Sequence, residues 1–214
     1  MFDMVNSTIP MEFSLSRKGV DDMRRFIILS FLVLFLSLVG LFNCNTVEAK
    51  QALLVIFDKF AETQYSEARS ILENKGIKLL VASSTSDPVA GHVNMKVKPD
   101  MLLSQVRTSE YDAIIFIGGY RYEGDNADAI RIAKEGAAEG KLIAAIGAGI
   151  YTLYKTDLLK GKRVVMMDPF WAQKAGATVS TARVEQEGRI ITAVYTEPQK
   201  FAERIAAALA SGSQ

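Results

Sequence analysis

The residues best placed to do chemistry lie where an apolar run breaks into glycine. In "LIAAIGAGIYTL" (residues 142–153) a buried strand turns through Gly147-Ala148-Gly149 into a helix. Many α/β enzymes hold a nucleophile at such a turn, yet no side chain at this apex can attack anything. Three other segments carry glycine or polar residues directly after an apolar run: Asp58 to Gln64, Gly118-Gly119-Tyr120, and Asp168-Pro169. Each also has a purely structural reading. Asp168 before Pro169 is a ready helix start, and Gly118-Gly119 permits a tight turn. Tyr120 and Tyr122 read as surface aromatics, while Glu62 and Gln64 fall in a first helical turn, where polar groups satisfy free N–H donors. His92, the only histidine, sits in the turn-rich "DPVAGHVN" and reads as solvated, with nothing to place it near Gly147.

Other chemistries are disfavoured. The "GAG" turn fails the dinucleotide pattern G-x-G-x-x-G at Thr152, and no phosphate-binding G-x-x-x-x-G-K-[ST] occurs. Cys44 is the only cysteine, so neither an intrachain disulfide nor a cysteine-based metal site can form, and no cofactor or metal is expected. A net charge of +1, from 25 basic and 24 acidic residues, comes with no basic stripe, which argues against nucleic acid as a partner.

The elements that must position these residues alternate from Lys50 onward. Apolar runs at 52–57, 77–83, 111–119 and 141–147 read as strands, and 60–75 and 126–139 as helices between them. "MLLSQV" suggests a short helix, "GKRVVMMDP" (161–169) a further strand, residues 177–194 a hairpin around Glu187-Gly188, and "EPQKFAERIAAALA" a closing helix. Such alternation predicts a three-layer α/β/α sandwich with a mainly parallel, flavodoxin-like sheet over residues 50–214. Ligands in such sheets bind beyond the carboxyl ends of the strands, where the residues named above fall.

Residues 1–49 read differently. Met23-Arg24-Arg25 precede the apolar core 26–42, and a polar tail places Val47 and Ala49 at cleavage positions, as in an export signal cut after Ala49. The expected location is therefore periplasmic or extracellular. An uncleaved membrane anchor over 26–42 is the alternative, and Met23 makes the more ordinary start. Cys44 follows Asn43 where a lipoprotein signal wants a small residue, so it reads as discarded with the leader.

The succession "YDAIIFIGG", an Ala-rich helix, "GKLIAAIGAG", a strand ending in "DP", "ARVEQEGRIITA" and a terminal helix resembles the ThiJ/PfpI family of the class I glutamine amidotransferase-like superfamily, across residues 51–210. The resemblance implies a nucleophilic cysteine at the elbow, a place held here by Gly147. It implies oxyanion-stabilising N–H groups at Gly119 and Ala148. It implies a glutamate from the first helix at Gln64, with Glu62 one register away, and in many members a histidine at the position of Asp168. Three departures thus coincide, at Gly147, Gln64 and Asp168. They imply a pseudoenzyme without cysteine-dependent glyoxalase, deglycase or protease activity, keeping a small polar pocket for an anionic or carbonyl ligand or for a partner. The alternatives are a carboxylate-based hydrolase or lyase using Asp168 and Glu62, and a chaperone or assembly subunit. The resemblance also implies a homodimer.

Overall fold

A computed structural model describes Arg25, Ile27 and Ile28, residues 49–166 and residues 168–211. The chain divides into two units, Met1–Glu48 and Ala49–Gln214. The apolar core 26–42, Met23 and Cys44 lie outside the described residues, apart from Ile27 and Ile28. Among the described residues, no helix is long and apolar enough to cross a membrane.

In the second unit the chain runs β1 (Gln51–Val55), α1 (Glu62–Asn74), β2 (Lys78–Ser83), β3 (Val89–Ala90), β4 (Lys96–Val97), β5 (Met101–Leu102), β6 (Ala113–Phe116), α2 (Ala127–Ala138) and β7 (Leu142–Ile146). It continues through α3 (Ile150–Tyr154), β8 (Arg163–Val164), α4 (Pro169–Lys174), β9 (Thr178–Val179), β10 (Val184–Glu187), β11 (Ile190–Ala193) and α5 (Pro198–Ser211). Seven strands form one sheet in the order β10-β11-β7-β6-β1-β2-β5. All its pairings are parallel except that of β10 with β11. The five longer parallel strands therefore run second, first, third, fourth, fifth, the flavodoxin-like order.

Strand periodicity explains the layers. Ala52 and Leu54 of β1 face one side, where α1 and α5 bring Tyr65, Leu72, Phe201 and Ile205. Leu53 and Val55 face the other, against Ile132 and Ala133 of α2, Leu153 of α3 and Ala172 of α4. A strand covered on both faces must be apolar throughout, and β6 and β7 are fully buried.

Two elements differ from the sequence reading. Among its described residues the segment 161–169 does not extend the main sheet: Arg163–Val164 is its strand, paired with β9 in a separate two-stranded sheet. The place beside β7 goes to β11, whose four residues are all buried, whereas Arg163 is exposed. Thr192 of β11 then accepts the Val165 N–H at 2.8 Å, tying the displaced segment alongside. "MLLSQV" begins as β5 and finishes in a single 3-10 turn, Leu103–Gln105.

Candidate functional site

Strand order reverses between β1 and β6, because the chain steps outward to β2 and then returns to the other side of β1. The crevice beyond their carboxyl ends is the expected ligand position in an open α/β sheet. The turn leaving β1 is bound on both flanks. Lys59 donates its N–H to Ala90 O at 2.8 Å, while Ala61 donates to Gly118 O at 2.8 Å and Tyr120 donates to Lys59 O at 2.9 Å. Lys59 itself holds φ +58, a left-handed conformation that costs a non-glycine residue about 1–2 kcal/mol. Gly119 lies opposite Phe60 in this arrangement, where a Cβ would sit 2.6 Å from Lys59 O. The two hydrogen bonds flank that pair, so the Gly119 N–H points away from Phe60.

The second wall is the elbow after β7. Gly147 opens a 3-10 turn, Gly147–Gly149, with φ +57, and α3 follows at once. A Cβ at Gly147 would lie 3.0 Å from Gln64 Nε2 and 3.1 Å from Tyr195 Cβ. Ala148 stands in the first turn of this helical run, where N–H groups have no intrahelical acceptor. Gln64 is buried beneath the elbow at 5% exposure. Its Oε1 accepts the Gly118 N–H at 3.0 Å, and its Nε2 donates to Tyr195 O at 3.5 Å. One amide thus links α1 to the exits of β6 and β11. Tyr122 is not a simple surface aromatic: its hydroxyl lies 2.7 Å from Thr152 Oγ1 and its ring stands edge-on to Phe57. Burial pushes its phenol far above the usual range.

These walls enclose a cleft of about 520 Å³ lined by Ala61, Thr63, Gln64, His92, Gly119, Tyr120, Gly147, Ala148 and Tyr195. Five of the seven residues singled out from sequence, Gln64, Gly119, Tyr120, Gly147 and Ala148, meet there. His92 meets them too, contrary to its reading as a solvated loop residue. Phe60 and Gly91 form a parallel bridge, in which His92 donates its N–H to Phe60 O at 3.1 Å, and this carries the imidazole to the cleft. Tyr195, which the sequence reading passed over, arrives from the exit of β11.

Glu62 and Asp168 are not among the walls. Glu62 Oε1 accepts the N–H groups of Val93, Asn94 and Met95, each at 2.8 Å. It therefore satisfies donors of the β3–β4 turn rather than of its own helix. Desolvation pushes its carboxyl up, but the N–H bonds from Met95, Val93 and Asn94 outweigh that and hold it below the usual glutamate range. Asp168 is exposed and caps α4, accepting the Phe170 N–H at 2.9 Å with Pro169 at the first helical position. The pairing of Glu62 with Asp168 as acid and base is thus not assembled in the cleft. Each carboxylate is drawn to unsatisfied backbone donors. Among the described residues, no group of three histidine, cysteine, aspartate or glutamate side chains is arranged to hold a metal. What the cleft offers is backbone N–H donors at Gly119 and Ala148, one imidazole, and two phenol rings at its rim.

The sheet order and the strand–elbow–helix beside its switch point define a three-layer α/β/α domain with a cleft at the strand ends. The chain belongs to the DJ-1/PfpI family, whose model matches residues 50–208. Protein dj-1beta of Drosophila melanogaster is 25% identical over 169 residues, 74% of this chain and 90% of its own. Deglycase PfpI of Pyrococcus furiosus is 31% identical over 94 residues, 43% of this chain and 57% of its own. The crystal structure of a ThiJ/PfpI domain protein from Brachyspira murdochii superimposes with a TM-score of 0.72 at 26% identity, covering 75% of this chain and 96% of that one.

Proposed function

We propose that this protein is an exported DJ-1/PfpI-family domain without cysteine-dependent glyoxalase, deglycase or protease activity, and that its cleft binds a small anionic or carbonyl ligand. The observation that carries the reading is the elbow: Gly147 keeps a left-handed φ of +57 and lines the cleft with no side chain. The chain's single cysteine, Cys44, precedes residues 50–208, the part that matches the family. Relatives include proteins named deglycase, and a covalent hemithioacetal in that chemistry needs a thiol that this domain lacks. A volume of about 520 Å³ suits a small molecule. The test is turnover of methylglyoxal to lactate by the purified protein. The reading expects no lactate above the uncatalysed background. Robust turnover that survives chelation and further purification contradicts it.

A further inference from the structure

The imidazole of His92 is the cleft feature that neither the family resemblance nor the elbow explains. Its Nδ1 lies 3.4 Å from the Glu62 N–H and 3.3 Å from Phe60 O. When the ring is neutral, Nδ1 can accept from Glu62 N–H, which puts the proton on Nε2. When the ring is charged, Nδ1 donates to Phe60 O and Nε2 still carries its proton. Both backbone partners hold Nδ1, so Nε2 is the nitrogen left to the cleft; it donates in the charged ring and in the neutral tautomer whose Nδ1 accepts from Glu62, and accepts in the neutral tautomer whose Nδ1 donates to Phe60 O. The ring packs on Tyr120 with centroids 5.2 Å apart. Tyr120 and Tyr195 are 81% and 53% exposed, leaving apolar ring surface at the rim.

The charged and titratable surroundings are few. From α1, Glu62 faces the His92 loop with its carboxylate held by three N–H donors. From the exits of β6 and β11 come Tyr120 and Tyr195, and Arg121, next to Tyr120, is paired with Asp58 at 3.2 Å. Among the described residues no carboxylate lines the cleft, and the Glu62 carboxylate, which interacts with the imidazole through its charge, is held by the Val93–Met95 N–H groups.

From this geometry we infer that the cleft is a pH-sensitive site for a small organic carboxylate, whose charge sits on His92 Nε2 and whose body lies against the Tyr120 and Tyr195 rings. The inference rests on the reading of the cleft as a ligand site and adds the ligand's chemical class and its dependence on protonation. A hydrogen bond from a charged donor to a carboxylate is roughly twice as strong as a neutral one. Binding should therefore tighten about tenfold between pH 8 and pH 5.5.

Phenylacetate and its neutral counterpart phenylacetamide are the probes, titrated into the protein while the amide signals of Gly119, Ala148 and Tyr195 and the ring signals of His92 are followed by NMR. His92 is the only histidine, so its ring resonances are assignable without a variant. The expected result is that phenylacetate shifts the cleft amides, binds about tenfold tighter at pH 5.5 than at pH 8, and raises the titration midpoint of the imidazole. Phenylacetamide should leave that midpoint unchanged, and His92→Gln should abolish the pH dependence. If both probes bind alike at both pH values, the carboxylate inference falls while the ligand-site reading stands. If neither probe shifts the cleft amides, the carboxylate inference falls. If glyoxylate and methylglyoxal also leave those amides unmoved, the ligand-site reading falls with it.

Discussion

Substituting alanine at Gly147 tests whether the elbow is held in the geometry described. The backbone at φ +57 admits an L side chain at a cost of about 1–2 kcal/mol. The added Cβ would also press on Gln64 Nε2 at 3.0 Å and on Tyr195 Cβ at 3.1 Å. One contact is the end of a movable side chain, whereas the other is fixed close to the backbone, so crowding adds on the order of 1 kcal/mol. The total, about 2–3 kcal/mol, corresponds to a Tm lower by roughly 4–12 °C for a domain of this size. Gly188 supplies the control. It holds φ +62 at the tip of the β10–β11 hairpin, with nothing within 4 Å of a built Cβ. Gly188→Ala should therefore cost only the backbone part, about 1–2 kcal/mol. Thermal and urea unfolding followed by circular dichroism measures both. A neutral or stabilising Gly147→Ala would refute the left-handed elbow, and equal costs at the two positions would refute the packing of Gln64 and Tyr195 against it.

Two further predictions concern the carboxylates that the structure draws away from the cleft. Because N–H bonds depress the Glu62 pKa in the fold, its contribution is complete above the unfolded value near 4.3 and is lost as pH falls through the lower folded value. The gap in urea midpoint between the protein and Glu62→Ala should be widest above about pH 5 and close toward pH 3, and a gap that does not change with pH contradicts the three-donor role. For Asp168, the cap on Phe170 predicts that Asp168→Ala costs about 1 kcal/mol and Asp168→Asn only a few tenths, because asparagine caps as well as aspartate. Urea unfolding reads both, and an Asn variant as unstable as the Ala variant speaks for a role of the charge elsewhere.

The sheet was legible because its buried strands are apolar on both faces, a signal that survives without any partner in view. Competition between segments was not. "GKRVVMMDP" and "GRIITAV" both read as strands, and only their burial side by side shows that Ile190–Ala193 takes the place next to β7. The same competition hides Tyr195. A hairpin signal does not show that β11 also pairs parallel with β7, and the carboxyl-end rule points to Tyr195 only once that pairing is known. His92 was hidden for a different reason. It reaches the cleft through a backbone bridge between Phe60 and Gly91, and backbone pairing of that kind leaves no mark in side-chain type. Gln64 was readable from the helix register and from the family resemblance, but its two hydrogen bonds, to Gly118 and Tyr195, were not.

On the function proposed above, the elbow after β7 keeps the setting of a nucleophile, with Gly147 in the nucleophile's place. Installing the missing group tests it most directly. A Cβ at Gly147 lies 3.0 Å from the Gln64 amide nitrogen, and Gly147 and Ala148 both line the cleft. Donors at Gln64 Nε2 and the Ala148 N–H favour a thiolate over a thiol. The measurement is the pH dependence of thiolate absorbance and alkylation rate in Gly147→Cys, made with Cys44 changed to Ser so that one thiol is observed. The expected result is a thiol that titrates clearly below the ordinary value of about 8.5. A thiol that titrates at or above that value, in a variant that remains folded, contradicts it.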